Sequence, residues 1–351
     1  LAIQALMWGI TQPIAGAYAD KHGSTRVLAF GAIFAALGFA LRGIFLDETL
    51  FILTGFIVGI GTGACSFPVV IVALGKVVEA KQRSFIMGLG TAAASAGMFA
   101  GAPIATVLIG TIGWGIAIFL VASSFLIILP LLFFVSQASE KIAPTKEQVN
   151  TIQAIKIAFS DRSYTLLFFG FFVCGFHVQF IGTHLPAYII DEGLAPIIGA
   201  WSLALIGLFN IAGSFFSGWS GQVYSKPKLL SGIYAFRAAV ISAFIFVPLS
   251  ETSVLIFSAA MGILWLSTVP LTTGLIAQTQ GLKFLSTLAG LVFFSHQVGG
   301  FLGAWLGGRL YDLTGNYEAM WIAAILFGLL ATVIHLPIRE TAGKLAQVEF
   351  K

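Results

Sequence analysis

Two apolar runs of the chain are joined by a short charged stretch, Gly16-Ala17-Tyr18-Ala19-Asp20-Lys21-His22-Gly23-Ser24-Thr25-Arg26. Gly16 allows a neighbouring helix to come close, and Gly23 permits the positive φ that a short turn needs. The Asp20 carboxylate can be held by the dipole of a helix N-terminus. Because Lys21 and Arg26 favour the cytoplasmic side of a membrane, the stretch predicts a tight cytoplasmic turn between two membrane helices.

The spacing Gly-x-x-x-Asp-Lys-x-Gly-x-x-Arg resembles the loop between the second and third helices of the major facilitator superfamily. An arbitrary cytoplasmic loop would account for the two cations but not for the aspartate and both glycines. The resemblance implies an all-α integral membrane fold with two six-helix halves in parallel pseudo-repeat. It also implies a gating role for the residues of this loop, which are Gly16, Asp20, Lys21, Gly23 and Arg26.

Composition places the chain in a lipid bilayer. Only 9% of residues are charged and the mean hydropathy is +0.99, outside the range of water-soluble domains. The 40 glycines and 33 phenylalanines suit helices that pack closely in lipid. The net charge of +4 therefore reflects membrane topology and gives no evidence for nucleic acid. Cys65 and Cys174 are isolated, so the sequence predicts no disulfide framework, metal site or cofactor site.

Eleven apolar runs are long enough to be membrane helices. They cover approximately residues 1–19, 27–46, 50–75, 84–110, 114–135, 163–190, 197–220, 229–249, 253–280, 284–310 and 317–338. When these runs cross the membrane alternately, 15 of the 18 lysines and arginines fall on one side. The positive-inside rule makes that side the cytoplasm and places the C-terminus there. We expect a multi-pass, monomeric protein of the bacterial inner (plasma) membrane.

Marker residues repeat at an offset of 202 positions. The coincident pairs include Gly16 with Gly218, Pro68 with Pro270, Gly88 with Gly290, Gly97 with Gly299 and Gly101 with Gly303. Asp20 falls on Gln222, so the second copy of the charged loop has lost its carboxylate. In this register the counterpart of the run 163–190 lies before residue 1. We therefore expect a first helix with its flank, about 40 residues, to be absent and number the present helices two to twelve.

The same repeat divides the chain into four parts. Residues 1–138 form the N-terminal half, 139–162 a cytoplasmic linker, 163–341 the C-terminal half and 342–351 a cytoplasmic tail. The linker is the only long polar stretch, and we expect an amphipathic helix at 147–159.

A glycine-rich segment of the predicted fifth helix contains Gly97, Gly101 and Pro103 and resembles the fifth-helix motif of the superfamily. Small residues at four-residue spacing form a groove for a partner helix, so we expect pliable packing that takes part in gating. The fourth helix has Thr54 where the superfamily's motif usually has arginine. The sugar-porter signature after the sixth helix is absent, which makes a sugar substrate less expected.

Charge at membrane depth indicates the kind of substrate. All 14 Asp and Glu residues fall in loops, tails or helix ends, whereas His177, His296 and Arg237 fall at mid-depth. Carriers of cations or protons usually need an intramembrane carboxylate. The pattern favours an anionic substrate held by charge-assisted hydrogen bonds. The alternative for each histidine is a neutral ring bonded to a carbonyl group, and for Arg237 a structural cation.

Substrates of such folds bind at the interface of the halves. The candidate substrate-binding residues are His177, His296, Gln297, Asn210, Trp265, Thr268, Trp8, Gln12 and Arg237. The segments Cys174-Gly175-Phe176-His177-Val178-Gln179-Phe180 and Phe294-Ser295-His296-Gln297-Val298-Gly299-Gly300 resemble bacterial members of the monocarboxylate-transporter-like branch. That resemblance implies transport of small carboxylates, often together with a proton. The branch carries its carboxylate-binding arginine on helix eight, where this chain has none.

The sequence therefore predicts a secondary transporter of a small organic anion that works by alternating access, as a symporter or an antiporter. A drug/proton or other metabolite antiporter of the same fold and a transporter-like sensor without flux remain open alternatives. An enzyme is not expected, because the chain has neither an HExxH motif nor a Walker loop, and Gly218-Trp219-Ser220-Gly221-Gln222 does not complete GxSxG.

Overall fold

A computed structural model describes residues 2–44, 47–132 and 149–349, and the regular elements that it defines within these ranges are helices. Residues 139–148 of the predicted linker and the last two residues of the predicted tail lie outside the described residues. In chain order the helices are α1 (Ala2–His22), α2 (Ser24–Ile44), α3 (Glu48–Cys65), α4 (Phe67–Val77), α5 (Arg83–Leu126), α6 (Thr151–Phe159), α7 (Arg162–Asp191), α8 (Pro196–Val223), α9 (Lys226–Phe246), α10 (Glu251–Leu264), α11 (Thr268–Gln280), α12 (Leu285–Thr314), α13 (Glu318–His335) and α14 (Lys344–Glu349).

Ten segments of the described chain are long and apolar enough to cross a bilayer. The remaining predicted span corresponds to α1, which carries Gln4, Gln12 and Asp20 and so falls below that level of hydropathy. This helix packs between α3 and α12 in the interior of the bundle. Its polar side chains therefore find partners in protein rather than in lipid.

Two predicted spans are interrupted. The run 50–75 is divided into α3 and α4 at Ser66, which has an extended backbone, and the run 253–280 into α10 and α11 at residues 265–267. Pro68 and Pro270, which are equivalent in the repeat, follow the breaks by a few residues. Proline cannot donate to the carbonyl group one turn earlier, so each span loses helical hydrogen bonds at this point.

The predicted spans 84–110 and 114–135 join differently from the expectation. Their described residues up to Leu126 lie in α5, which changes direction at Gly113, where φ is 78°. This conformation is available to glycine without strain, so one residue makes the turn between the two spans.

The two halves meet along two seams that the repeat relates. In the first seam, between α1 and α12, a Cβ atom added to Gly16 would stand 2.2 Å from the Ser286 carbonyl oxygen. In the second, between α5 and α8, a Cβ atom added to Gly218 would stand 2.7 Å from the Ser84 carbonyl oxygen. Residues 16 and 218 and residues 84 and 286 are each 202 positions apart. The offset found in the sequence is thus expressed as two equivalent contacts.

Glycines in α12 also bring α7 close. Added Cβ atoms at Gly299 and Gly303 would stand 2.1 Å and 2.6 Å from the carbonyl oxygens of Phe172 and Phe176. The equivalent glycines of α5, Gly97 and Gly101, have no heavy atom within 4 Å of such a position in the described structure. Pro103 lies in the same helix. The gating role predicted for these three residues stays a prediction.

The predicted amphipathic helix of the linker corresponds to α6. The helix begins later than residue 147, because Asn150 and Gln153 form a capping box at its N-terminus. Asp161 then caps α7 and also accepts a hydrogen bond from Gln280 of α11 at 2.8 Å. The Gly343 amide donates to the Thr279 carbonyl at 2.7 Å, so the segment after α13 holds the same end of the C-terminal half together.

We predict that Gly16→Ala and Gly218→Ala each lower the midpoint of thermal unfolding in detergent. Each added methyl group would meet a backbone carbonyl that cannot move aside, and overpacking of this kind costs about 1–3 kcal/mol. Gly232→Ala is the matched control, because its added methyl group meets no atom within 4 Å and alanine is the better helix former. Equal midpoints for the three variants would contradict the two seams.

Candidate functional site

The Asp20 carboxylate of α1 caps the first turn of α12 in the other half. It accepts hydrogen bonds from the backbone amides of Ser286 and Thr287 at 3.0 and 2.7 Å and from the Thr287 hydroxyl at 2.6 Å. The residue before α12, Phe284, supplies no side-chain cap of its own. A carboxylate at a helix N-terminus satisfies orphan amides and is favoured by the helix dipole. The structure therefore places Asp20 at the N-terminus of α12, a helix of the other half.

Lys76 completes this contact, and the sequence analysis missed it. Its ammonium group lies 2.5 Å from Asp20 Oδ1 and 2.9 Å from Ser286 Oγ, so it also touches both halves. The sequence showed only that Lys76 ends an apolar run on the cytoplasmic side. The contact forms because α4 ends beside α1 and α12, an arrangement that the sequence does not show.

The rest of the charged loop makes the turn. Gly23 has a φ of 86°, and its amide donates to the Ala19 carbonyl at 2.9 Å, which ends α1 one residue before α2 begins. Lys21 and Arg26 are exposed. In the second copy of the loop Gln222 is exposed as well, so only the first seam carries a charged contact in the described structure.

A buried cation lies behind the break between α10 and α11. Arg237 has no exposed surface and donates to the Leu264 carbonyl at 2.6 Å and to the Trp265 carbonyl. The Tyr234 ring lies 5.3 Å from its guanidinium carbon. Its Nη1 has no hydrogen-bond partner, and no carboxylate pairs with it in the described part of the chain. Arg237 therefore stabilises the broken end of α10 and leaves one positive charge uncompensated in the membrane interior.

Other predicted residues gather at the same break. Thr268 is fully buried, and its hydroxyl lies 3.2 Å from the Cys174 sulfur, while Trp265 is 4% exposed. Asn210 accepts a hydrogen bond from the Leu266 amide at 2.9 Å. The structure thus brings Arg237, Trp265, Thr268 and Asn210 to one place.

His296 and Gln297 lie on α12, between this break and the first seam. The partly exposed His296 ring packs against Phe171, with ring centroids 5.0 Å apart, and its Nδ1 lies 3.2 Å from Gln297 Oε1. Its Nε2 is buried without a partner. Gln297 packs against Gly9 of α1, where an added Cβ atom would stand 2.7 Å from the glutamine Cβ. Gln297 therefore reaches the opposite half, whereas the His296 ring packs against α7 of its own half.

His177 lies elsewhere. The ring is fully buried, with Nε2 2.7 Å from the Ala324 carbonyl of α13 and an edge close to Gly328. It therefore faces an outer helix of its own half rather than the seam.

The remaining two candidates lie on α1. Gln12 donates to the Gly63 carbonyl at 2.9 Å and to Ser66 Oγ at 2.7 Å, so it holds the break between α3 and α4. Trp8 is partly exposed and packs against Gly59 and Gly63 through its backbone. In this conformation the Gln12 side-chain amide nitrogen is therefore already hydrogen-bonded within the protein.

A membrane-embedded helical bundle with two repeated halves, paired glycine seams and a charged contact at one end of one seam defines a secondary-transporter fold. Residues 1–304 match the Major Facilitator Superfamily, and the chain belongs to it. It is a transporter of this superfamily and not an enzyme.

The relatives agree with this membership. The chain is 24% identical to the uncharacterized MFS-type transporter YcxA of Bacillus subtilis (strain 168), over 96% of this chain and 84% of that protein. It is 28% identical to monocarboxylate transporter 13 of Rattus norvegicus, over 92% of this chain and 76% of the relative. It is 24% identical to the sialic acid transporter NanX of Escherichia coli (strain K12), over 72% of this chain and 63% of that protein.

Among solved structures, the chain is similar to the E. coli fucose:proton symporter FucP, with a TM-score of 0.71 and 17% identity over 95% of this chain and 89% of that one. At this identity the likeness concerns the fold. It confirms the predicted fold class.

We predict that Asp20→Asn opens the first seam at the end where Asp20 lies. The substitution removes charge-assisted hydrogen bonds, which contribute about 1.5–3 kcal/mol, so the open population should rise about ten-fold or more. The reporter is a cysteine at Ala289, a buried seam residue, in a protein without Cys65 and Cys174. Labelling by an impermeant maleimide added from the side of the membrane on which Asp20 lies measures the opening.

The control for this experiment is Gln222→Ala, the equivalent position of the second copy. Its side chain is exposed, so labelling should not change. Equal labelling of the Asp20→Asn variant and the unsubstituted reporter protein would contradict the claim that Asp20 holds the first seam closed.

Proposed function

We propose that this transporter moves a small organic anion, of the monocarboxylate kind, by alternating access. The substrate binds near mid-membrane beside the break between α10 and α11, and the halves then rock about the two seams. The observation that carries this proposal is Arg237, a fully buried guanidinium with an unpartnered Nη1 and no carboxylate paired with it in the described residues.

The electrostatic argument is direct. Removing a charge from water is costly, and a cation retained at membrane depth lowers the free energy of a nearby anion. Arg237 binds the backbone carbonyl groups at the end of α10. In the present conformation it therefore attracts a bound anion mainly through its electrostatic field and without direct contact. A neutral or cationic substrate would gain nothing from this arrangement.

His296 and Gln297 are the proposed direct contacts. Both lie on α12, where Gln297 packs against Gly9 of the opposite half. The unpartnered His296 Nε2 can donate to a carboxylate when the ring carries a proton there. We therefore propose a proton as the coupled ion, with His296 as its carrier. His177 faces α13, so we assign it a packing role instead of substrate contact.

The names of two relatives support the substrate class. The rat relative is a monocarboxylate transporter, and the E. coli relative is a sialic acid transporter. Both names specify an acid. We further propose that the Asp20 loop and the C-terminus face the cytoplasm of a bacterial inner membrane, that the halves are residues 1–138 and 163–341, and that the protein works as a monomer.

We predict that vesicles containing the full-length protein accumulate at least one labelled small carboxylate from a panel. Arg237→Lys should retain part of the uptake because it keeps the positive charge, whereas Arg237→Gln should lose ten-fold or more, roughly the effect expected for one charged interaction. Thermal unfolding of both variants in detergent distinguishes a loss of charge from a loss of folding. Export of cationic dyes without uptake of any anion would overturn the substrate class.

We predict that an inward proton gradient accelerates this uptake and that His296→Gln removes the acceleration. Glutamine can donate a hydrogen bond but cannot carry the proton. The control is His22→Gln, because His22 is exposed at the cytoplasmic end of α1. An undiminished response to the gradient in the His296→Gln variant would show that the coupled proton, if there is one, is carried elsewhere.

A further inference from the structure

The break between α10 and α11 is held from two sides. Arg237 binds the carbonyl groups at the end of α10, as described above. On the other side, the Leu266 amide within the break donates to Asn210 Oδ1 of α8 at 2.9 Å. A backbone amide at membrane depth must find a partner inside the protein, so the conformation of the break and the orientation of the Asn210 side chain depend on each other.

The same Asn210 side chain reaches the other half. Its Nδ2 donates to Ser95 Oγ of α5 at 2.8 Å, and the Ser95 hydroxyl donates in turn to the Thr91 carbonyl at 2.8 Å. All three side chains are at most 1% exposed. A continuous hydrogen-bonded path therefore runs from the break in the C-terminal half to the backbone of α5 in the N-terminal half.

This path crosses the middle of the second seam. On one side of it Gly88 and Gly218 bring α5 and α8 together, and on the other Gly207 packs against Phe99. Asn210 and Ser95 thus form a polar contact inside an apolar, glycine-lined interface. A buried neutral hydrogen bond costs little when made and is costly when one partner is left unsatisfied.

We propose that Asn210 is a positioning residue that couples the α10–α11 break to the interface between the halves. A side-chain amide is planar, so Oδ1 and Nδ2 move together. If the Leu266 amide shifts, for example when a substrate reshapes the break, Asn210 must turn, and its bond to Ser95 is then lost. The break and the second seam consequently change state together.

This assignment replaces direct substrate contact, the role predicted from the sequence. The Leu266 amide can only donate, which fixes the amide orientation with Oδ1 towards the break. That oxygen also accepts from Ser214 Oγ at 3.2 Å, and Nδ2 is engaged by Ser95. The proposal does not depend on the substrate being an anion.

The chain contains its own reporters for a test. Cys174 lies at the α10–α11 break, 4.0 Å from the Trp265 carbonyl, whereas Cys65 is the last residue of α3, beside the equivalent break in the other half. Both cysteines are labelled by N-ethylmaleimide and quantified by peptide mass spectrometry. The ratio of Cys174 to Cys65 labelling gives the opening of the α10–α11 break relative to that of the α3–α4 break. No substrate is needed for this measurement.

The variants are Asn210→Ala, Ser95→Ala and Thr91→Val in the otherwise unchanged protein. We expect Asn210→Ala and Ser95→Ala each to raise the labelling of Cys174 relative to Cys65 by about five- to ten-fold, the effect of one neutral buried hydrogen bond. The double variant should exceed neither single one appreciably, because the two residues act in one path. Thr91→Val removes a buried hydroxyl of α5 that bonds only within its own helix, so the ratio should stay unchanged.

An increase for Asn210→Ala alone would overturn the proposal, because Asn210 would then support the break without reaching the other half. Additive effects of Asn210→Ala and Ser95→Ala, or an equal increase for Thr91→Val, would also contradict it. Ser95→Ala lies in the half opposite the break and makes no cavity larger than a hydroxyl group. Its result therefore stands even if Asn210→Ala fails to fold.

Discussion

The Asp20 carboxylate satisfies a helix end that belongs to the other half of the molecule. The first amides of α12 have no partner within their helix and no side-chain cap from the preceding residue. Asp20 supplies the missing acceptor, and Lys76 balances its charge while binding Ser286. Separation of the halves at this end therefore breaks several charge-assisted bonds at once. Closure of the first seam at this end depends on this contact.

The two seams share a backbone geometry and differ in chemistry. Glycines at equivalent positions bring α1 onto α12 and α8 onto α5, so both seams are close enough for backbone contact. The first seam adds the ionic contact of Asp20, while the second has an exposed Gln222 in its place and a neutral Asn210–Ser95 bond further along. The first seam is therefore held by charge-assisted hydrogen bonds and the second by a weaker neutral one. This division suits a molecule that must close firmly and still reopen.

The sequence predicted the features that repeat or alternate along the chain. The offset of 202 positions placed Gly16 and Gly218 in equivalent contacts, and the charged loop located Asp20 at a helix N-terminus. It could not show which groups meet across the bundle. The sequence marked Lys76 only as a topology residue and did not show that His177 faces α13, because a helical register does not say which neighbour each face meets. The sequence did not predict the breaks beside Pro68 and Pro270 for a related reason. An apolar run of the right length is predicted as one helix unless the partners of its backbone groups are known. Here those partners are Gln12, Arg237 and Asn210.

The most direct test is the distance between the halves at the end of the molecule where Asp20 lies, measured by pulsed electron paramagnetic resonance. Spin labels replace Lys81 and Lys228, which are exposed residues of opposite halves, in a protein whose native cysteines are replaced by alanine. We expect one population of short distances between the two spin labels while Asp20 binds the N-terminus of α12. Introducing Asp20→Asn should add a second population at longer distance. Identical distance distributions with and without the Asp20 carboxylate would contradict it.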